Sequence, residues 1–327
     1  MTWRVAGAAR ATIGTRAKQE DAFAIWPSAA HPAAQDGEGV LAVVADGMGG
    51  HAGGEVAGRL ACETFISAFS GRHGAAGDRL HTALGASNSA IAARASETAG
   101  LRGMGCTLVG AWIDGAGLRW VSVGDSLLLL FRAPDVLRLN ADHSLGAFLD
   151  DQARRGKMSA GEAASNPYRN ALRSALTGKK IEILDLQGDP YPLAAGDWLI
   201  LASDGIATLA GDEIGDIVYA NRDGAAGEMA ERLIAAVEAK RDPDQDNATV
   251  VVLKIEDDAT ATATDESPTR ILKLTTPPAT GSGLESTQRV RHTPAAYQLF
   301  RRYRSWILGI GMGLMFLIGW MLRAALG

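Results

Sequence analysis

Four times along this chain a short apolar run meets an aspartate. LAVVA stops at Asp46, VSVG at Asp125 and LILAS at Asp204, while Asp246 immediately precedes NATVVVLKI. Apolar, β-branched runs of this kind predict strands with buried faces. Acids at their ends therefore lie at the rim of a core, where an unpaired charge is costly and needs a cation or hydrogen-bond donors. One aspartate so placed is ordinarily a turn residue or a helix cap; the recurrence is what points to metal. Asp46, Asp204 and Asp246 are each followed by Gly or Asn, which lets the backbone turn tightly and bring a carbonyl toward the same ion. Glu20 and Asp21 add an adjacent acidic pair just before the apolar run AFAIW. Oxygen donors without a histidine or cysteine cluster suit Mg²⁺ or Mn²⁺ rather than Zn²⁺.

The surrounding pattern predicts the scaffold. Strands are expected at 41–46, 106–114, 118–125, 126–132, 197–204 and 248–255, with Asp114-Gly115 and Gly124-Asp125 placed as hairpin turns between neighbours. Helices are expected at about 54–70, 78–98, 144–155, 159–164, 212–220 and 224–240, the longer ones with apolar residues three and four apart. Strand hairpins alternating with helix pairs imply an α/β sandwich: two central antiparallel sheets flanked by helix pairs, rather than a doubly wound parallel sheet.

Several function classes drop out. A net charge of −5, with 21% charged and 47% hydrophobic residues, describes a globular chain and gives no reason to expect a nucleic-acid partner. Cys62 and Cys106 form neither a CxxC pair nor a disulfide framework, and are expected to be reduced, small and buried. The glycine-rich GMGGHAGG at 47–54 lacks the GxxxxGK[ST] of a phosphate-cradling loop. Ser203 precedes Asp204 outside any GxSxG elbow, so a serine hydrolase is not indicated.

The segments RAKQED (16–21), VVADGMGGHAGGE (43–55), GCTLV (105–109), VSVGDS (121–126), ADHSL (141–145), RNALRSALTG (169–178), GDWLILASDG (196–205) and DNATVVVL (246–253) resemble, in order, the metal-dependent protein phosphatases of type 2C, and in particular their bacterial branch. The resemblance covers about 240 residues. It implies hydrolysis of phosphoserine and phosphothreonine in proteins by water activated on two Mn²⁺ or Mg²⁺ ions, with a possible weaker third. By the same resemblance Asp46 bridges the two ions, with Glu20 and the Gly47 carbonyl on one and Asp204 and Asp246 on the other. Asp21 would orient the attacking water, Arg16 would clamp the substrate phosphate, Asp125 with Asp204 would hold the third ion, and Asn247 would support Asp246. The implied partners are phosphoproteins, among them a bacterial Ser/Thr kinase and its targets. Two departures stand out: Met48 occupies a position where many eukaryotic relatives have a histidine proposed as general acid, and Gln19 replaces a common Asn. His51 is the nearest histidine in sequence. Gly146 to Arg169 resembles the family's flap, where Arg154, Arg155 and Lys157 form a basic face. The alternative is a catalytically silent protein of the same fold, which loss of a metal ligand would favour; none of the six is replaced.

The C-terminal part reads differently. Residues 1–256 are expected to form the phosphatase-like domain, and 257–300, rich in Thr, Ala, Ser and Pro, a flexible linker. From Trp306 to Leu322 runs WILGIGMGLMFLIGWML without a charge. At the helical rise it measures about 25 Å, near the lower limit for crossing a bilayer core. Residues 301–327 are thus expected to be a membrane anchor, with a helix at about 305–323. Arg301, Arg302 and Arg304 precede it against Arg323 after it, which places the catalytic domain on the cytoplasmic side of the inner membrane.

Overall fold

The computed structural model describes residues 3–27, 39–49 and 52–257. The expected linker and anchor, and His51, lie outside the described residues. In chain order the elements are β1 (Trp3–Thr12), β2 (Ala22–Trp26), β3 (Val40–Ala45), β4 (Gly47–Met48), α1 (Gly53–Ser70), α2 (Ala76–Glu97), β5 (Gly105–Cys106), β6 (Leu108–Asp114) and β7 (Gly117–Val123). There follow β8 (Leu127–Arg132), β9 (Asp135–Arg138), α3 (Leu145–Arg154), α4 (Ala160–Ala164), β10 (Asp185–Tyr191), β11 (Trp198–Ala202), α5 (Gly211–Ala220), α6 (Ala226–Ala239) and β12 (Ala248–Asp257).

Two five-stranded antiparallel sheets result, one in the order β1-β12-β11-β8-β9 and the other β10-β7-β6-β3-β2, with a small β4-β5 ladder beside them. The central strands are apolar on both faces because each face meets a different layer. In β3, Leu41, Val43 and Ala45 pack with Phe65, Phe69 and Leu84 of α1 and α2. Ala42 and Val44 point the other way, into a core shared with Leu128, Leu130, Leu199, Leu201 and Val251 of the second sheet. That second sheet buries its outer face against Ile214 and Val218 of α5 and Met229, Leu233 and Val237 of α6. Helix pair, sheet, sheet and helix pair form the expected sandwich.

One turn was placed wrongly. Asp114-Gly115 does join β6 to β7 as a hairpin, with Asp114 opposite Gly117. Gly124-Asp125 does not join a hairpin: β7 belongs to one sheet and β8 to the other, so this turn carries the chain across the sandwich. Both cysteines are free and buried, and burial pushes both thiols up, which keeps them protonated and unreactive. Among the described residues no helix is long and apolar enough to cross a membrane.

Candidate metal centre

Strand direction gathers the acids. Because the sheets are antiparallel, β3, β7 and β11 end at the same edge of the sandwich at which β2, β8 and β12 begin. Asp46 follows β3, Asp125 follows β7, Asp204 follows β11, Asp21 precedes β2 and Asp246 precedes β12. Residues separated by more than two hundred positions thus share one edge, and each of these acids is half-buried.

The backbone around Asp46 is held by hydroxyls. Asp46 N–H donates to Thr107 Oγ1 at 3.0 Å, and that hydroxyl lies 2.7 Å from Ser126 Oγ. The Thr107 N–H returns a bond of 2.9 Å to the Asp46 carbonyl. Glu20 is packed against the start of α1: a Cβ on Gly54 would lie 2.6–2.8 Å from the Glu20 carboxylate, so a larger residue there would push that carboxylate aside. Gly47 N–H donates to the Glu20 carbonyl at 3.2 Å, which brings the Gly47 backbone beside it.

Ser203 and Asn247 do the positioning. Ser203 Oγ donates to Asp21 Oδ2 at 2.7 Å while accepting from Thr249 N–H at 2.9 Å, so the hydroxyl is committed to holding Asp21. Asn247 was expected to support Asp246, and its N–H does donate to Asp246 Oδ1 at 2.8 Å. Its side chain does something else. Oδ1 accepts from Glu20 N–H at 2.7 Å, and Nδ2 donates to the carbonyls of Ile13 and Lys18, both at 2.9 Å. One side-chain amide therefore pins the loop that carries Arg16 and Glu20. Arg16 Nη2 meets Asp246 Oδ2 at 2.6 Å on the open side of the site, both side chains being well exposed. Asp125 lies where Arg138 Nη2 donates to its carbonyl at 2.7 Å, and the preceding Gly124 exchanges two 3.1 Å bonds with His143.

The electrostatics are those of an anionic pocket short of cations. Burial, reinforced by Asp21, Asp204, Asp125 and Asp246, pushes the Asp46 carboxyl up to about 10. Burial and the Asp204 charge raise Asp125 to about 7, and burial raises Asp21 to about 6 against the opposing bond from Ser203. Glu20 and Asp204 are raised as well, by burial first and then by Asp246. Asp21 Oδ1 and Asp204 Oδ1 are buried without a hydrogen-bond partner in the protein. Orphaned carboxylate oxygens and mutually raised acids are what a hard divalent cation corrects, so the residues present fit Mn²⁺ or Mg²⁺. Among the described residues no group of three or more His, Cys, Asp or Glu side chains is drawn close enough to hold a metal ion as it stands.

Arg154 and Arg155 in the flap both pair with Asp151, at 3.4 and 2.7 Å, which offsets part of the basic face expected there. The flap closes on itself through Arg169, whose guanidinium donates two bonds of 2.9 and 2.8 Å to Asp150.

The profile described as Protein phosphatase 2C matches residues 10–245, from the strand before Arg16 to the residue before Asp246. The chain belongs to the protein phosphatase 2C family. It is 36% identical over 220 residues to the serine/threonine protein phosphatase PstP of Mycobacterium tuberculosis, covering 66% of this chain and 40% of that protein. It thus spans well under half the length of that relative. It is 30% identical over 236 residues to the serine/threonine phosphatase stp of Listeria monocytogenes, covering 69% of this chain and 88% of that protein. The crystal structure of the PstP catalytic domain in complex with two manganese ions superposes with a TM-score of 0.62 at 33% identity, over 78% of this chain and all of that one. The two-sheet sandwich is thus that of known protein phosphatase 2C structures. Thr107, Ser203 and the Asn247 side chain escaped assignment as positioning groups, although the GCTLV, ASDG and DNATVVVL segments that carry them were visible in the sequence.

Proposed function

We propose that this protein phosphatase 2C member is a Mn²⁺- or Mg²⁺-dependent protein-serine/threonine phosphatase that reverses a bacterial Ser/Thr kinase. The observation that carries the reading is Asp46, held by Thr107 at an edge where burial, reinforced by four other carboxylates, raises its pKa to about 10. Asp46 would lie between two ions, with Glu20 and the Gly47 carbonyl toward one, Asp204 and Asp246 toward the other, and Asp125 with Asp204 at a weaker third. When bound, such a pair lowers the pKa of water so that hydroxide is available near neutrality. The residues supply the rest. Arg16, exposed and paired with Asp246, would exchange that partner for a phosphate dianion through its planar fork. Asp21, held by Ser203, accepts a hydrogen bond from the attacking water and aligns it with phosphorus. No protein nucleophile is called for, and the engaged hydroxyl of Ser203 is not available as one.

We further infer that residues 301–327 tether this domain to the cytoplasmic face of the inner membrane through a linker of 257–300; the apolar stretch from Trp306 to Leu322 supports this. The catalytic reading is tested by incubating the purified chain with a phosphothreonine peptide in Mn²⁺ or EDTA and measuring released phosphate. Release that requires the metal is expected; release unaffected by EDTA, or none with Mn²⁺, overturns it. The anchor is tested by fractionating cells that express the whole chain or a version ending at residue 257, of which only the former should sediment with membranes.

A further inference from the structure

At the end of the sandwich opposite the acids, α1 runs into α2 through a short loop, and a cavity of about 340 Å³ opens there between the helices and the β6–β7 hairpin. That volume falls at the lower end of the range for small-molecule sites. The 18 residues of α1 place it about 27 Å from the start of that helix near Glu20. Its walls include Arg72, His73, Arg79, Arg119 and Asp114.

Three guanidinium groups and one carboxylate line the cavity, and the carboxylate is paired with one of the three, which leaves two cations in excess. Asp114 accepts from Arg119 Nη1 at 2.8 Å, from Trp112 Nε1 at 2.9 Å and from Ala116 N–H at 2.9 Å. Arg79 is fixed in place, with Nε and Nη2 donating to the Phe69 carbonyl at 3.2 and 3.0 Å and its Cζ 3.9 Å from the Phe69 ring centroid. Arg72 stands exposed on the interhelix loop beside His73. Helix α2 opens into the same cavity at Ala76, and Ala75 before it has no side chain to cap the first turn. The one acid in that turn is Asp78.

Arg79 and Arg119 have donors left beyond their bonds to the Phe69 carbonyl and Asp114, Arg72 is exposed, and a phosphate dianion, with twice the charge of a carboxylate and three acceptor oxygens, takes more from such donors and from the positive end of a helix. We propose that this cavity binds a phosphate group, free or carried by a small ester, at a site separate from the metal centre. The inference does not rest on the catalytic reading, because it requires neither metal nor turnover.

The test uses the full chain in EDTA, with Arg16→Ala so that the candidate phosphate clamp of the metal centre is removed. Arginines are labelled with phenylglyoxal at constant ionic strength, with inorganic phosphate, glycerol 2-phosphate or chloride, and each labelled peptide is quantified by mass spectrometry. Phosphate is expected to slow labelling of Arg72 at least threefold relative to chloride, while the exposed Arg102, outside the cavity, is unaffected. Stronger protection by glycerol 2-phosphate assigns an esterified ligand, and stronger protection by inorganic phosphate assigns the free anion. Calorimetry with inorganic phosphate should then show at least a tenfold weaker affinity in Arg72→Glu. Arg79→Lys, which keeps a cation over Phe69, should weaken it less. Both variants are to be checked for an unchanged melting transition. Equal labelling of Arg72 in phosphate and chloride, equal protection of Arg72 and Arg102, or unchanged affinity in Arg72→Glu overturns the proposal.

Discussion

Strand β11 has a buried or half-buried aspartate at each end, and the two are treated oppositely. Asp197, before the strand, is almost fully buried and fully answered: Arg132 donates to it through Nε at 2.8 Å and Nη2 at 2.6 Å, and Ala194 N–H adds a bond of 2.7 Å. Asp204, after the strand, has an orphaned Oδ1 and acids for neighbours. The β6–β7 pair repeats the contrast, with Asp114 answered by Arg119 at one end and Asp125 raised to about 7 at the other. At one end of the sandwich the fold supplies a counter-charge to each acid; at the other Arg16 pairs with Asp246, and Asp46, Asp125 and Asp204 form no ion pair among the described residues. Buried charge is costly wherever it occurs. The second arrangement is therefore a requirement for a ligand written into the fold.

The largest effect expected from that contrast comes from exchanging the two kinds of aspartate in turn. Asp46→Asn should lower Mn²⁺-dependent activity by about a thousandfold or more while leaving the metal-free fold intact, since a carboxyl raised to about 10 is already neutral there and the amide is its neutral isostere. Asp197→Ala should do the reverse. It strands Arg132 and costs about 2 to 4 kcal/mol, a drop of roughly 5 to 15 °C in melting temperature, with activity per folded molecule little changed. Calorimetric melting and peptide assays on both variants check this, and similar profiles for the two would erase the distinction.

Metal removal should expose a pH dependence confined to the acidic end. Asp46 at about 10, Asp125 at about 7 and Asp21 at about 6 lie above their ordinary value of 3.8, so the metal-free native state holds protons that the unfolded chain releases. Stability contributed by these groups is fully present below about pH 4 and is lost as pH rises toward those values. The melting temperature of the chain in EDTA should fall between pH 5 and pH 8. Saturating Mn²⁺ should flatten or invert the slope, because binding displaces those protons. A slope unchanged by Mn²⁺ would show that the acids are not where the metal binds.

Arg16→Ala should cost about 1.5 to 3 kcal/mol of transition-state stabilisation, roughly ten- to a hundredfold in kcat/KM, with most of the loss in phosphate affinity. Lost Mn²⁺ affinity with unchanged phosphate binding would instead assign Arg16 to Asp246, the partner it has in this structure. The smallest change is expected from Asp125→Ala, which should leave tight Mn²⁺ binding in place and slow turnover of a phosphothreonine peptide severalfold. Emptying of the tight sites in titration calorimetry would move Asp125 into the two-metal core.

The helices and central strands were legible because their side chains are decided locally. Each is a run long and apolar enough to need burial on one or both faces, and each ended within two residues of its expected position. Beyond the two-residue β4, the strands outside the expected set are β1, β2, β9 and β10, the four edges of the two large sheets. Edge strands have one unpaired side and carry polar or small residues, so WRVAGAARAT and DLQGDPY have little of the pattern that marks a central strand.

What the sequence by itself determined is that Asp46, Asp125, Asp204 and Asp246 must stand at the ends of buried strands, because the apolar runs beside them leave no other place. Which of the chain's acids meet one another, and which meet an arginine, was decided only by the tertiary structure. Asp197 looks in sequence much like Asp204, yet its cation comes from Arg132, sixty-five positions away. The turn at Gly124-Asp125 reads as a hairpin, yet it crosses between sheets and so delivers Asp125 to the edge shared by both. Asn247 beside Asp246 reads as its support, yet its amide holds a loop more than two hundred residues distant. Burial is a property of a run of residues and can be read from them. Pairing between charges depends on strand order and on which ends of the strands coincide, and that order is set by long-range packing.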